Sequence, residues 1–105
     1  MTIKDIKKVE IDKAGVVSSK LRSKFQEVGI RFKEENITDF RDIYEICSVY
    51  IRLIDSLVQE TTSMDDIVEI LNNVEKDLYT HLPYHCKALK RPLKGFLDKT
   101  VKVEI

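Results

Sequence analysis

Between positions 39 and 59 the chain reads DFRDIYEICSVYIRLIDSLVQ. Wound at about 100° per residue, the step of an α-helix, this stretch sorts into two faces. Arg41, Asp42, Glu45, Ser48, Arg52, Asp55, Ser56 and Gln59 share one side. The apolar residues between Phe40 and Val58 cover the rest, an arc of roughly 220° where a surface helix needs a stripe of little more than about 100°. So wide an arc predicts neighbours on two or three sides, and therefore the central helix of a bundle.

The flanking segments carry narrower stripes. Val17, Leu21, Phe25, Val28 and Phe32 predict an outer helix within residues 14–33, and a short connection makes it the antiparallel neighbour of the central one. Thr38 or Asp39 is the expected cap of the central helix, and Ser63, followed by Asp66, that of the third. Met64, Ile67, Val68, Leu71, Val74, Leu78 and Leu82 give the third helix its apolar side. Pro83 is expected to stop it or to open the next. Pro92 predicts that the fourth helix is broken into residues 83–90 and 92–99. Residues 2–11 read as either helix or strand. Lys-Val-Glu-Ile occurs at 8–11 and again at 102–105, and its alternating β-branched residues would allow the termini to pair as a short ribbon. The expected fold is therefore all-α: one up-and-down four-helix bundle domain over residues 1–105, with a terminal ribbon as an option.

Composition agrees with a globular helical chain: 105 residues, 43% hydrophobic and 34% charged, with three glycines and two prolines. Net charge is zero, which removes any global attraction to nucleic acid or membrane. The distribution is uneven. Positions 1–24 carry seven Lys/Arg, positions 55–79 seven acids against Lys76, and positions 87–102 six Lys/Arg against Asp98. Basic ends and an acidic middle can satisfy each other within one bundle or between copies. The charged opening TIKDIKKVEI has no signal-peptide core, and no run reaches the ~20 apolar residues of a membrane span. A reduced, cytoplasmic setting is expected, with Cys47 in the core and no disulfide between Cys47 and Cys86.

Three constellations carry candidate chemistry. His81 and His85 stand four apart with Cys86 next to them, a spacing that binds transition metals on a continuous helix; Pro83 between them argues against one regular helix, and Cys86 or Cys47 would be a third ligand. His85 fits a phosphotransfer histidine poorly, because Ala88, Leu89 and Arg91 stand where that family has glycine and small residues. Lys87, Lys90, Arg91 and Lys94 share one helical arc, with Tyr84 near enough to stack a base, and make a basic face for nucleic acid or an acidic partner.

Ser19, Lys20, Leu21 and Arg22, with Phe25 and Val28, resemble the opening helix of the small all-helical subunit of type III CRISPR effector complexes. The likeness spans residues 19–28, and the aromatic-rich C-terminal helix of that family has no counterpart here. With no phosphate loop, no serine triad and no activated thiolate, catalysis is not expected and no cofactor is indicated. The expected role is a non-enzymatic interaction or regulatory module with a protein partner or a second copy. The alternatives are a nucleic-acid-binding accessory subunit using the basic face, and a transition-metal-binding protein using His81, His85 and Cys86.

Overall fold

Thr2 opens the first helix. Its Oγ1 accepts from the Asp5 N–H at 3.1 Å, and the Asp5 carboxylate accepts from the Thr2 N–H at 3.2 Å, a reciprocal capping box. The computed structural model describes the backbone of residues 2–104 and the side chains of residues 2–99. Helix α1 (Ile3–Val28) takes in the whole segment that read as helix or strand, and Gly15 does not interrupt it. It ends at Gly29, whose φ of 76° is the left-handed geometry a residue without Cβ adopts freely, with its N–H directed at the Gln26 carbonyl.

Helix α2 (Glu34–Leu57) begins earlier than Thr38 or Asp39 would have it. Lys33 occupies the capping position without a side-chain hydrogen bond. Glu34 and Glu35 instead place negative charge on the first turn, and Arg22 of α1 pins Glu34 there through a bidentate ion pair. Helix α3 (Met64–Lys76) starts as its sequence predicts, with Ser63 Oγ accepting from the Asp66 N–H at 3.2 Å.

The third rod overturns the expected four-helix count. From α3 the chain passes into a π turn (Asp77–His81) and straight on into α4 (Leu82–Glu104), so the described residues form three rods. Pro83 has no N–H for the Tyr79 carbonyl, and its ring would crowd that turn. The wider turn absorbs this: the Leu82 N–H reaches back to the Asp77 carbonyl, one residue further than in an α-helix. Pro92 likewise sits inside α4 without ending it. Leu89 before it is buried, and the Phe96 ring after it packs edge-on to Phe32 at 6.0 Å. Packing on both sides offsets the roughly 3 kcal/mol that an interior proline costs. The terminal ribbon does not form: residues 8–11 belong to α1, residues 102–104 to α4, and Ile105 lies outside the described residues. No strand occurs among them.

Helix α2 is the central element, as its wide arc predicts. It supplies Ile46, Val49, Tyr50 and Leu53 to a core completed by Ile6 of α1 and Ile70 of α3. The α1–α2 seam is made by Glu10, Ala14 and Ser18, buried at four-residue intervals, with the Arg52 guanidinium reaching Glu10 at 3.1 Å. At the far end Phe25, Phe32, Phe40 and Phe96 form an aromatic cluster with centroids 5.2–6.1 Å apart. The arc is not fully covered, however. Tyr44, Cys47, Ile51, Ile54 and Val58 are exposed, so Cys47 is not the core residue its position suggested. The molecule measures 54 × 24 × 22 Å with a radius of gyration of 17.0 Å, against about 13 Å for a compact chain of this length. No helix among the described residues is long and apolar enough to cross a membrane.

Candidate metal centre

Between the aliphatic core and the aromatic cluster lies a polar layer. Helix α2 contributes Asp39, Asp42 and Glu45, spaced three apart and hence near one face. The third rod contributes Asp77, His81 and His85, spaced four apart across the π turn. His85 is buried, and its Nδ1 lies 2.8 Å from Asp39 Oδ1. Its Nε2 lies 3.0 Å from His81 Nε2 and 3.2 Å from Asp42 Oδ2. His81 Nδ1 faces Asp77 Oδ1 at 3.8 Å. Asp42, His81 and His85 thus offer three ligand atoms within 4.8 Å of one another, and both imidazoles turn their other nitrogen toward a carboxylate.

Proton accounting sharpens this picture. A neutral His85 that donates through Nδ1 to Asp39 points the lone pair of Nε2 at Asp42 Oδ2, and lone pairs repel. Either an N–H on His81 Nε2 or a metal ion between the rings satisfies that lone pair. The wider electrostatics favour a cation. Asp39, Asp42, Glu45 and Asp77 are opposed by Arg41, 3.3 Å from Asp42, and Lys7, 3.7 Å from Asp77. With neutral imidazoles that leaves two more carboxylates than cations. Burial, followed by the nearby Asp42 carboxylate, pushes the Glu45 carboxyl above its usual range.

A hydrogen-bonded strut extends the layer. Tyr50 OH lies 2.5 Å from Asp77 Oδ2 and 2.8 Å from the Asn73 carbonyl, while Lys7 Nζ donates to Asn73 Oδ1 at 2.6 Å. Burial, and then the bond to Asp77, raise the Tyr50 phenol well above the ordinary tyrosine range.

Of the residues singled out in the sequence, His81 and His85 come together and Cys86 does not; it is exposed and outside the cluster. The carboxylate of Asp42, on another helix, stands where Cys86 or Cys47 was the expected third ligand. Lys87, Lys90, Arg91 and Lys94 are exposed and line one shallow depression with Gly95 and Asp98. Tyr84 is exposed, with its ring edge-on to His85 at 5.1 Å rather than joined to that depression. Asp39, Asp42, Asp77 and Tyr50 escaped the sequence reading. Their signal was the three-residue acidic spacing on α2 set against the four-residue Asp-His-His spacing on the third rod. Comparison with protein-family models, with curated proteins and with solved structures returns no match to this chain.

Proposed function

We propose that the protein is a metal-binding helical module that takes one divalent first-row transition ion on His81, His85 and Asp42. The observation that carries this reading is the grouping of ligand atoms from Asp42, His81 and His85 within 4.8 Å of one another, with Asp39 and Asp77 beside the Nδ1 atoms of His85 and His81. A carboxylate on the far nitrogen is how proteins fix a ligating imidazole. Nitrogens 3.0 Å apart, each about 2.0–2.1 Å from an ion, subtend roughly 95° at it, and the 3.2 Å between His85 Nε2 and Asp42 Oδ2 subtends roughly 100°. Two nitrogens and one oxygen suit zinc, iron, cobalt or nickel better than calcium or magnesium.

The half-exposed His81 side chain leaves one side of the ion open to water or a small ligand. The ion would join α2 to the third rod and take the place of the ring-to-ring hydrogen bond, so its binding sets the relation between the two helices. That is a regulatory role rather than a catalytic one. The test is calorimetric titration of the full chain with Zn2+ and Co2+. One ion per chain is expected, with binding lost in His81→Ala and in His85→Ala and unchanged in Cys86→Ser. Sub-stoichiometric binding, or binding that survives both histidine variants, rules the reading out.

A further inference from the structure

The α1–α2 connection, the first turn of α2 and the middle of α4 border a cleft of about 720 Å3, a volume usual for small-molecule sites. The cleft shares no residue with the polar layer. Its charge is lopsided. Arg31, Lys33, Arg91 and Lys99 line it with Glu35 as the one carboxylate, and none of the four cations makes an ion pair among the described residues. The neighbouring Glu34 is held by Arg22 of α1. The start of α2 adds to the excess. Lys33 occupies the cap without a side-chain bond, and the Asn36 and Ile37 N–H groups both turn back to its carbonyl, at 2.9 and 3.2 Å. The Glu34 and Glu35 N–H groups reach no acceptor among the described residues. Open N–H groups at the positive end of a helix attract anions.

Asn36 is an independent sign of a ligand. It is only 7% exposed, and its side-chain amide has no hydrogen-bond partner among the described residues. No side-chain polar atom among those residues is sealed from solvent unpaired, so the amide opens into the cleft that Asn36 lines. A mostly buried amide without a partner is costly, and a bound group that takes its hydrogen bond relieves the cost. The opposite wall carries a second open group. Pro92 has no N–H for the Ala88 carbonyl, and both residues line the cleft. The rings of Phe32 and Phe96, 6.0 Å apart, supply an apolar surface.

We propose that this cleft binds a nucleoside di- or triphosphate. Four cations against one carboxylate leave three positive charges, more than the roughly −2 of a single phosphate monoester neutralises. The phosphates take the start of α2, where the open N–H groups and the Asn36 amide donate to them and the Arg and Lys side chains close round them. The base lies against the phenylalanine rings, whose flat faces suit it, and the Ala88 carbonyl offers an acceptor to a base amine. The cleft is much larger than a phosphate ion needs, which is why the ligand carries an organic body.

The test is calorimetric titration of the metal-free full chain with ATP, ADP, pyrophosphate and adenosine, so that the result does not depend on the histidine site. ATP and ADP should bind one per chain and more tightly than pyrophosphate, and adenosine alone should not bind. Asn36→Leu should weaken ATP binding by about tenfold or more at unchanged helicity. Arg31→Ala and Arg91→Ala change exposed residues, so they test the same site without disturbing the fold, and each should weaken binding severalfold. Glu35→Gln should tighten it. Lys87→Ala and Lys90→Ala, which border the neighbouring depression and not the cleft, should leave it within about twofold. No binding of ATP at millimolar concentration overturns the proposal. So does pyrophosphate as tight as ATP, full affinity in Asn36→Leu, or a loss in Lys87→Ala equal to that in Arg31→Ala.

Discussion

Asp39 Oδ1 and His85 Nδ1, 46 residues apart in the chain, lie 2.8 Å from each other in a buried layer. The contact fixes which nitrogen of His85 faces the cluster, because Nδ1 is turned to Asp39. Asp39→Asn keeps the shape and removes the charge. Metal affinity should fall by roughly 10–100-fold, the usual effect of losing a carboxylate behind a ligating histidine, while His85→Ala should abolish binding. Zinc titration of both variants checks the order, and equal loss in the two would assign Asp39 a direct ligand role instead.

Tyr50 is the strut between the core and that layer. Tyr50→Phe leaves Asp77 and the Asn73 carbonyl without their shared phenol and should lower stability by about 1–2 kcal/mol in urea denaturation. The phenol also predicts a pH effect. Its proton is held more tightly in the folded chain than in the unfolded one, so its stabilising contribution is complete below the unfolded value of about 10 and declines as pH rises beyond it. Stability of the parent chain should therefore fall more steeply above pH ~10 than that of Tyr50→Phe. Parallel slopes for the two proteins would remove Tyr50 as the cause.

At the α1–α2 seam Ala14 has no exposed surface, so Ala14→Leu must force the helices apart. The expected cost is about 1–3 kcal/mol, read as a shift in the denaturant midpoint. Ala14→Ser, nearly the same size, should cost clearly less.

Glu10 is buried, with Arg52 at 3.1 Å and Lys13 at 3.6 Å. The Arg52 head is partly exposed, so its removal should cost about 1–3 kcal/mol rather than the full value of a buried pair. Lys13→Ala, at the more exposed partner, should cost less than about 1 kcal/mol. Arg52→Ala with Glu10→Gln should recover part of the loss, because the stranded charge goes with its partner. A double variant no better than the single one would assign Arg52 a packing role.

The helical class and the central place of α2 were legible because an apolar arc of that width has few other uses. The Ser63 cap was legible too, since a capping side chain acts within three residues. What the sequence hid depends on contacts between distant segments. Lys33 gives no sign of preceding a helix; the start of α2 at Glu34 rests on Arg22, twelve residues earlier. Pro83 and Pro92 argue locally for breaks, and only the π turn and the packing of Leu89 and Phe96 overrule them. The exposure of Cys47 was invisible because a hydrophobic arc does not say which part of it meets a neighbour. The histidine pair was readable as a pair, but its third member, Asp42, belongs to a helix whose register against the third rod no local pattern states.

The π turn at Asp77–His81 houses one residue more than an α-helical path would. Tightening those five residues to α-helical pitch, with none removed, would leave a helix behind and would twist everything downstream by about 100° relative to α3. His85 would swing off Asp39, and the lysines of α4 would sweep to another side of the rod, with hardly a change in helix content. Those five residues therefore act as a phase adjuster between the two halves of the third rod. The width of that turn, more than the number of residues in it, sets which side of the rod each half presents.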